Sequence, residues 1–197
     1  MHKKLSERLG SSLKKIEEFY SENRKNIWDI VLYGSSVRGE EPRDLDIVII
    51  FEDVDEEEYD ELPYQLKKMV EGEDLSVDVK GKYFKELFDS NFLAGGSIVT
   101  EGYCLISDEF VTDKLNLDGY TLFNYSLKDL DKNSKTRFTY ALKGRNDSPG
   151  VLDKLEGKHF APKVVLIPIE ETDDFRTFLG RWNVSYEEYR IAMRRGI

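Results

Sequence analysis

The chain has 197 residues, 40% of them hydrophobic and 35% charged, and a net charge of −10. This length suffices for one ordinary domain, or a compact domain with a smaller addition, and no run approaches the roughly 20 apolar residues that cross a bilayer. An acidic chain is not expected to bind nucleic acid through its whole surface; the lone Cys104 excludes an internal disulfide, and His2 and His159, the only imidazoles, do not suffice for a Cys/His zinc site within one chain.

The charge is unevenly spread. Residues 1–112 hold 14 Lys and Arg against 26 Asp and Glu, whereas residues 113–197 hold 15 against 13. A polyanionic partner would therefore meet the C-terminal part. The first residues carry charge but no apolar core of a signal peptide, so the chain is expected to be cytoplasmic.

Leu5, Leu9, Leu13, Ile16, Phe19 and Tyr20 recur at three and four residues and predict an amphipathic helix over residues 3–24. "IWDIVLYG" and "DLDIVIIF" suit strands, the second apolar on both faces and so expected inside a sheet. "SSVRGEEPR" between them reads as a loop or helical turn. "FEDVDEEEYDELP" reads as a solvated acidic connection, "YQLKKMVEG" as a short helix, "LSVDVKG" as a strand, "YFKELFDSNF" as helical and "SIVTEGYCLI" as a strand. Composition changes between Thr112 and Gly119, which divides the chain into residues 1–112 and 113–197. Beyond that point "NSKTRFTYALKG" predicts a helix capped by Asn133 or Ser134, "RNDSPG" a loop, "KVVLIPIE" a strand and "TDDFRTFLGRW" a helix. "SYEEYRIAM" opens with Ser185 and Glu188 in the spacing of a helix capping box.

Asp44 and Asp46 stand a residue apart at the start of a strand. Residues i and i+2 share a face, about 6.6 Å apart at the backbone, and their carboxylates can converge to about 4–5 Å of a common point. Two like charges about 4 Å apart repel by roughly 4 kcal/mol at an effective dielectric near 20. A divalent cation would remove that cost, and Mg²⁺ suits a carboxylate pair whose remaining positions are filled by water and phosphate. Just upstream, Gly34 permits close backbone approach to a ligand, a helix starting at Ser35 or Ser36 would aim N–H groups at an anion, and Arg38 offers a fork for phosphate oxygens. Asp78, between Val77 and Val79 on what reads as a neighbouring strand, could complete a metal site or serve as a base.

"YGSSVRGEEPRDLDIVI" followed by "SVDV" resembles the signature of the DNA polymerase beta-like nucleotidyltransferase superfamily, and its Gly-Ser-x-x-Arg-Gly form is closest to the minimal nucleotidyltransferase branch. The resemblance covers about residues 28–106, including "IVTEGYCLI", which is similar to the Glu-Gly strand closing the minimal domain. It implies an α+β fold: a polymerase beta-like core, a mixed sheet flanked by helices, with a smaller α/β C-terminal region of unknown role. It further implies that Gly34, Ser35, Ser36 and Arg38 bind the triphosphate and that Asp44, Asp46 and Asp78 are catalytic and hold Mg²⁺ or Mn²⁺. The expected reaction transfers a nucleoside monophosphate from a nucleoside triphosphate, with ATP the expected donor, to a hydroxyl of a protein, RNA or small molecule. The C-terminal region is the natural place for that acceptor. One departure is local: eight residues lie between Ser35 and Asp44, about two fewer than is usual in the family.

Rival readings stay open. One is a non-catalytic, antitoxin-like interaction protein that keeps the fold. Another is an RNA-binding module in which "SKTRFTYALKGR" combines Lys135, Arg137, Lys143 and Arg145 with Phe138 and Tyr140 for phosphate contact and base stacking; a basic outer helix face is the simpler account of that segment. Ser35 as a hydrolase nucleophile lacks a base in a suggestive context.

Overall fold

Apolar spacing at the start of the chain produces helix α1, Lys3–Asn23, kinked at Gly10, whose φ is +38°. The computed structural model describes residues 3–37, 44–72 and 76–196, which fall in two compact units, Met1–Leu117 and Asp118–Ile197. No helix among the described residues is long and apolar enough to cross a membrane.

The first unit is built on strands β1 (Ile27–Tyr33), β2 (Asp44–Phe51) and β3 (Ser76–Tyr83). Short strands β4 (Tyr103–Cys104) and β5 (Glu109–Phe110) extend the sheet in the order β3-β2-β1-β4-β5. The sheet is mixed: β1 runs antiparallel to β2 and β4, while β2 and β3 are parallel. As its two-faced apolar run predicts, β2 lies inside the sheet. Leu45, Ile47, Ile49 and Phe51 join Ile16 and Phe19 of α1 and Leu62 and Leu66 of helix α2 (Glu56–Val70) in one core. Val48 and Ile50, on the opposite face, meet Val31, Leu87 and Ile98.

Three expectations for this unit need correction. The acidic run is not merely a solvated connection, because α2 begins within it. Asp55 caps the helix by accepting from the Glu58 N–H at 2.9 Å, and Glu56, Glu57 and Glu58 occupy the first turn, where the helix dipole favours negative charge. Only Phe84–Phe88 of "YFKELFDSNF" is helical, as a short 3-10 turn. "SIVTEGYCLI" is chiefly helix α3, Gly95–Glu101, with strand only at Tyr103–Cys104. Its β-branched residues suggest a strand, but burial of Ile98 against β1 decides the conformation, and a Cβ at Gly95 would lie 2.0 Å from the Leu87 carbonyl oxygen. Tertiary packing overrides a weak propensity.

A buried carboxylate ties β1 to the segment after β4. Asp29 is fully buried. It accepts from the Ile106 N–H (3.2 Å), the Ser107 N–H (3.3 Å) and hydroxyl (2.9 Å), and the ammonium of Lys114 (2.5 Å) in helix α4, Val111–Lys114. Lys114 also donates to the Trp28 carbonyl at 3.0 Å and lies 4.3 Å from the Trp28 ring centroid. The charge is tolerated because its oxygens are satisfied.

The second unit has a four-stranded sheet in the order β11-β6-β10-β9. Its strands are β6 (Leu117–Ser126), β9 (Lys158–Ala161), β10 (Val164–Pro168) and β11 (Ser185–Arg194); β7 (Gly144–Arg145) and β8 (Ser148–Pro149) form a separate small ladder in the expected loop. Helices α5 (Lys132–Lys143), the short α6 (Val151–Lys154) and α7 (Thr172–Arg181) contribute Phe138, Leu152, Phe175 and Leu179 to a core with Phe123 and Val165. The cap of α5 is Asp131, which accepts from the Asn133 and Ser134 N–H groups and stands two positions before the first of the two expected residues. The expected helix at "SYEEYRIAM" is strand β11. Alternation explains it: Tyr186 packs on Phe123, Glu188 pairs with Arg176 of α7, and Arg190 donates to Thr121 at 2.6 Å.

Asp29→Ala is expected to destabilise the first unit by about 3–5 kcal/mol, the range for breaking a buried ion pair. Urea unfolding of the Trp182→Phe protein, in which Trp28 alone reports, measures it. Burial pushes the Cys104 thiol up to about 12, so at pH 8 only about 1 in 10⁴ molecules carries the reactive thiolate. An aromatic disulfide reagent should therefore leave the folded protein unlabelled and modify one thiol per chain in urea.

Candidate active site

Register, more than any single residue, gathers the site. Tyr33 pairs with Asp46 across the antiparallel β1–β2 ladder, and Asp46 pairs with Asp78 across the parallel β2–β3 ladder. Directly paired residues project from the same face of a sheet. Tyr33, Asp46 and Asp78 thus form a row across three strands, on the face that carries Val31 and Val48 farther along. Asp44 opens β2 opposite Ser76, and its side chain lies outside the described residues.

Gly34 follows β1 with φ of +73°, in the left-handed region that favours glycine, and begins a single 3-10 turn, Gly34–Ser36. A Cβ there would lie 2.8 Å from Asp46 Oδ2. Glycine is therefore required twice, by its backbone angle and by the carboxylate packed on its Cα. The expected helix is only this turn, closed by the Val37 N–H donating to the Gly34 carbonyl at 3.3 Å. Ser35 is half-buried and Ser36 is buried. Arg38 and the short segment up to Arg43 lie outside the described residues.

Two site residues escaped the sequence reading. Lys80 lies two residues beyond Asp78 on β3 and places its ammonium 2.8 Å from Asp78 Oδ2, with each side chain 50% exposed. The Asp78 hydrogen bond holds the Lys80 pKa above its ordinary value against partial desolvation. Burial raises the Tyr33 pKa, Lys80 opposes the rise, and Asp46 and Asp78 add to it. The signal for Lys80 was the alternation in "VDVKG", where positions i and i+2 share a face; Tyr33 becomes visible only through its register with Asp46.

The row offers hard carboxylate oxygens of the type a Mg²⁺ or Mn²⁺ ion takes, beside a bare backbone turn. Among the described residues no three Asp, Glu, His or Cys side chains are gathered closely enough to hold a metal. Asp46 and Asp78 supply two, and Asp44, whose side chain lies outside the described residues, is the third acid of the motif. The donor set fits a divalent cation bound partly by a substrate's phosphates.

The basic segment of the second unit divides differently from its reading as a stacking surface. Phe138 is fully buried in the core. Tyr140 is 43% exposed, but the Arg145 guanidinium covers its ring at 4.8 Å from the centroid. His159 is exposed on β9.

Residues 13–101 match the family model of the nucleotidyltransferase domain. This match falls within the first unit and accords with the motif resemblance. Among solved structures, the chain is similar to a chain in the structure of the tri-AMPylated Shewanella oneidensis HEPN toxin in complex with MNT antitoxin, at 25% identity over 48% of this chain and 68% of that chain, with a TM-score of 0.33. It is also similar to a toxin–antitoxin with AMP-PNP, at 25% identity over 52% of this chain and 83% of that chain, with a TM-score of 0.36. No curated protein matches the chain.

Gly34→Ala is expected to cost about 1–2 kcal/mol from the left-handed backbone alone and to push the Asp46 carboxylate aside. Thermal unfolding reads the first effect. Mn²⁺ titration against the native chain reads the second.

Proposed function

We propose that this protein transfers a nucleoside monophosphate from a nucleoside triphosphate, with ATP the expected donor, to a hydroxyl group of an acceptor. The observation that carries this reading is the in-register pair of Asp46 and Asp78 beside the side-chain-free Gly34, within a nucleotidyltransferase domain. Asp44, Asp46 and Asp78 would hold Mg²⁺ or Mn²⁺, which when bound neutralises triphosphate charge and the charge developing on departing pyrophosphate.

The chain's own groups divide the remaining work. At Gly34 nothing projects from the backbone, so phosphate oxygens can approach the N–H groups of the turn. The Ser35 hydroxyl donates to the same oxygens. Ser36 is only 4% exposed, which leaves phosphate contact chiefly to its two predecessors, with Arg38 assigned to the phosphates by its fork. The half-exposed Asp78 orients the attacking hydroxyl and accepts its proton as that oxygen bonds to the α-phosphorus and the bond from α-phosphorus to the β-phosphate oxygen breaks. Acceptor recognition is assigned to the C-terminal unit, whose charge balance does not repel a polyanion.

An antitoxin-like protein that only binds a partner would have no use for the row of acids, since two adjacent carboxylates weaken a sheet that gains nothing from them. The experiment uses α-phosphate-labelled nucleotides with Mg²⁺ or Mn²⁺, offered with cell extract, with RNA and with neither. Transfer by the native chain should exceed that of Asp44→Ala/Asp46→Ala protein by at least about 100-fold, because even outer-shell partners of a metal site cost 10–100-fold. Equal transfer by the two proteins sinks the enzymatic reading. Label in the extract's protein, in RNA, or in a small product identifies the acceptor class.

A further inference from the structure

The ammonium of Lys80 stands on one of the two paired acids of the row. Asp46 and Asp78 are directly paired, and adjacent paired side chains lie within about 5.5 Å at Cβ. Lys80 bonds Asp78 Oδ2 at 2.8 Å. As a stabilising device this pair is poorly chosen. Both side chains are half exposed, and exposed ion pairs contribute little to stability. A neutral residue at 78 would remove the repulsion with no need of a lysine.

We propose that Lys80 is a resident counter-cation that occupies Asp78 in the metal-free protein and competes with the divalent cation for it. This inference rests on the metal-site reading above and deepens it. A metal ion bound to a carboxylate sits about 2.0–2.1 Å from its oxygen, so an ion on Asp78 and an ammonium on Oδ2 lie within a few ångströms and repel. The divalent cation must therefore displace Lys80 or bind against its charge. A triphosphate supplies the anionic groups to which the released ammonium can turn, so metal and nucleotide favour each other's binding.

The test is Mn²⁺ titration of the full chain without nucleotide, following free Mn²⁺ by electron paramagnetic resonance. The proteins compared are wild type, Lys80→Met, Lys80→Arg and Asp46→Asn, each checked by thermal unfolding without metal. Lys80→Met, which keeps the length of the side chain and removes its charge, should bind Mn²⁺ about tenfold more tightly, and Lys80→Arg should bind like wild type. The upward shift of the melting temperature by saturating Mn²⁺ should likewise be larger in Lys80→Met. Equal or weaker binding by Lys80→Met overturns the counter-cation. If Asp46→Asn binds as tightly as wild type, the metal-site reading itself fails. Loss of binding in Asp46→Asn with no gain in Lys80→Met overturns the counter-cation alone.

Discussion

Two carboxylates held in register on adjacent strands impose the constraint on which the first unit turns. Asp46 and Asp78 face each other across parallel strands β2 and β3, and parallel neighbours require a crossover rather than a hairpin. The crossover is α2, and its position explains the acidic run that precedes it. Glu56, Glu57 and Glu58 begin the helix, where unpaired N–H groups and the dipole make acid favourable. The same residues that look like a solvated tether in the sequence thus start the element that brings Asp78 back beside Asp46.

The sheet must then be covered on both faces while one end is left open. One face is closed by α1 and α2 around Ile47 and Ile49, the other by α3 around Val48 and Ile50. The row of Tyr33, Asp46 and Asp78 lies on the second face, at the strand ends from which Gly34 leaves β1. Asp29 works at a different level. Its oxygens collect donors from Ile106, Ser107 and Lys114, which fixes the segment after β4 onto β1 and completes the sheet edge beside α3. A buried charge with this many partners is costly to disturb and adds specificity through geometry more than net stability.

How much of this was legible in the sequence depended on whether local and tertiary preferences agreed. For β1, β2, β3, α1 and α7 they do: apolar period and flanking turns mark the same element that packing selects. In "SIVTEGYCLI" they conflict, since Ile98, Val99 and Thr100 suit a strand while the gap beside Val31 and Leu87 accepts a helix. In "SYEEYRIAM" a capping-box spacing competes with a two-residue alternation, and the alternation wins because Arg176 and Thr121 supply partners for every second side chain. Strand β6 was missed because Gly119 and Asn124 interrupt an otherwise apolar run; both positions are accommodated in a ladder whose core contacts come from Phe123 and Tyr125.

For the site, Gly34, Asp46 and Asp78 were legible because their chemistry is odd for the strands they occupy. Lys80 was not, since lysine on an edge strand is ordinary. What makes it unusual is its neighbour in space. A fold seeking only stability could replace either carboxylate with a neutral residue and dispense with the lysine, because an exposed pair is worth about 0.2–1 kcal/mol. Two acids kept adjacent, with an ammonium beside one and a phenol at the far end, instead make a row whose negative charge the lysine only partly offsets. The repulsion between paired like charges is a cost that structure alone does not require at these two positions.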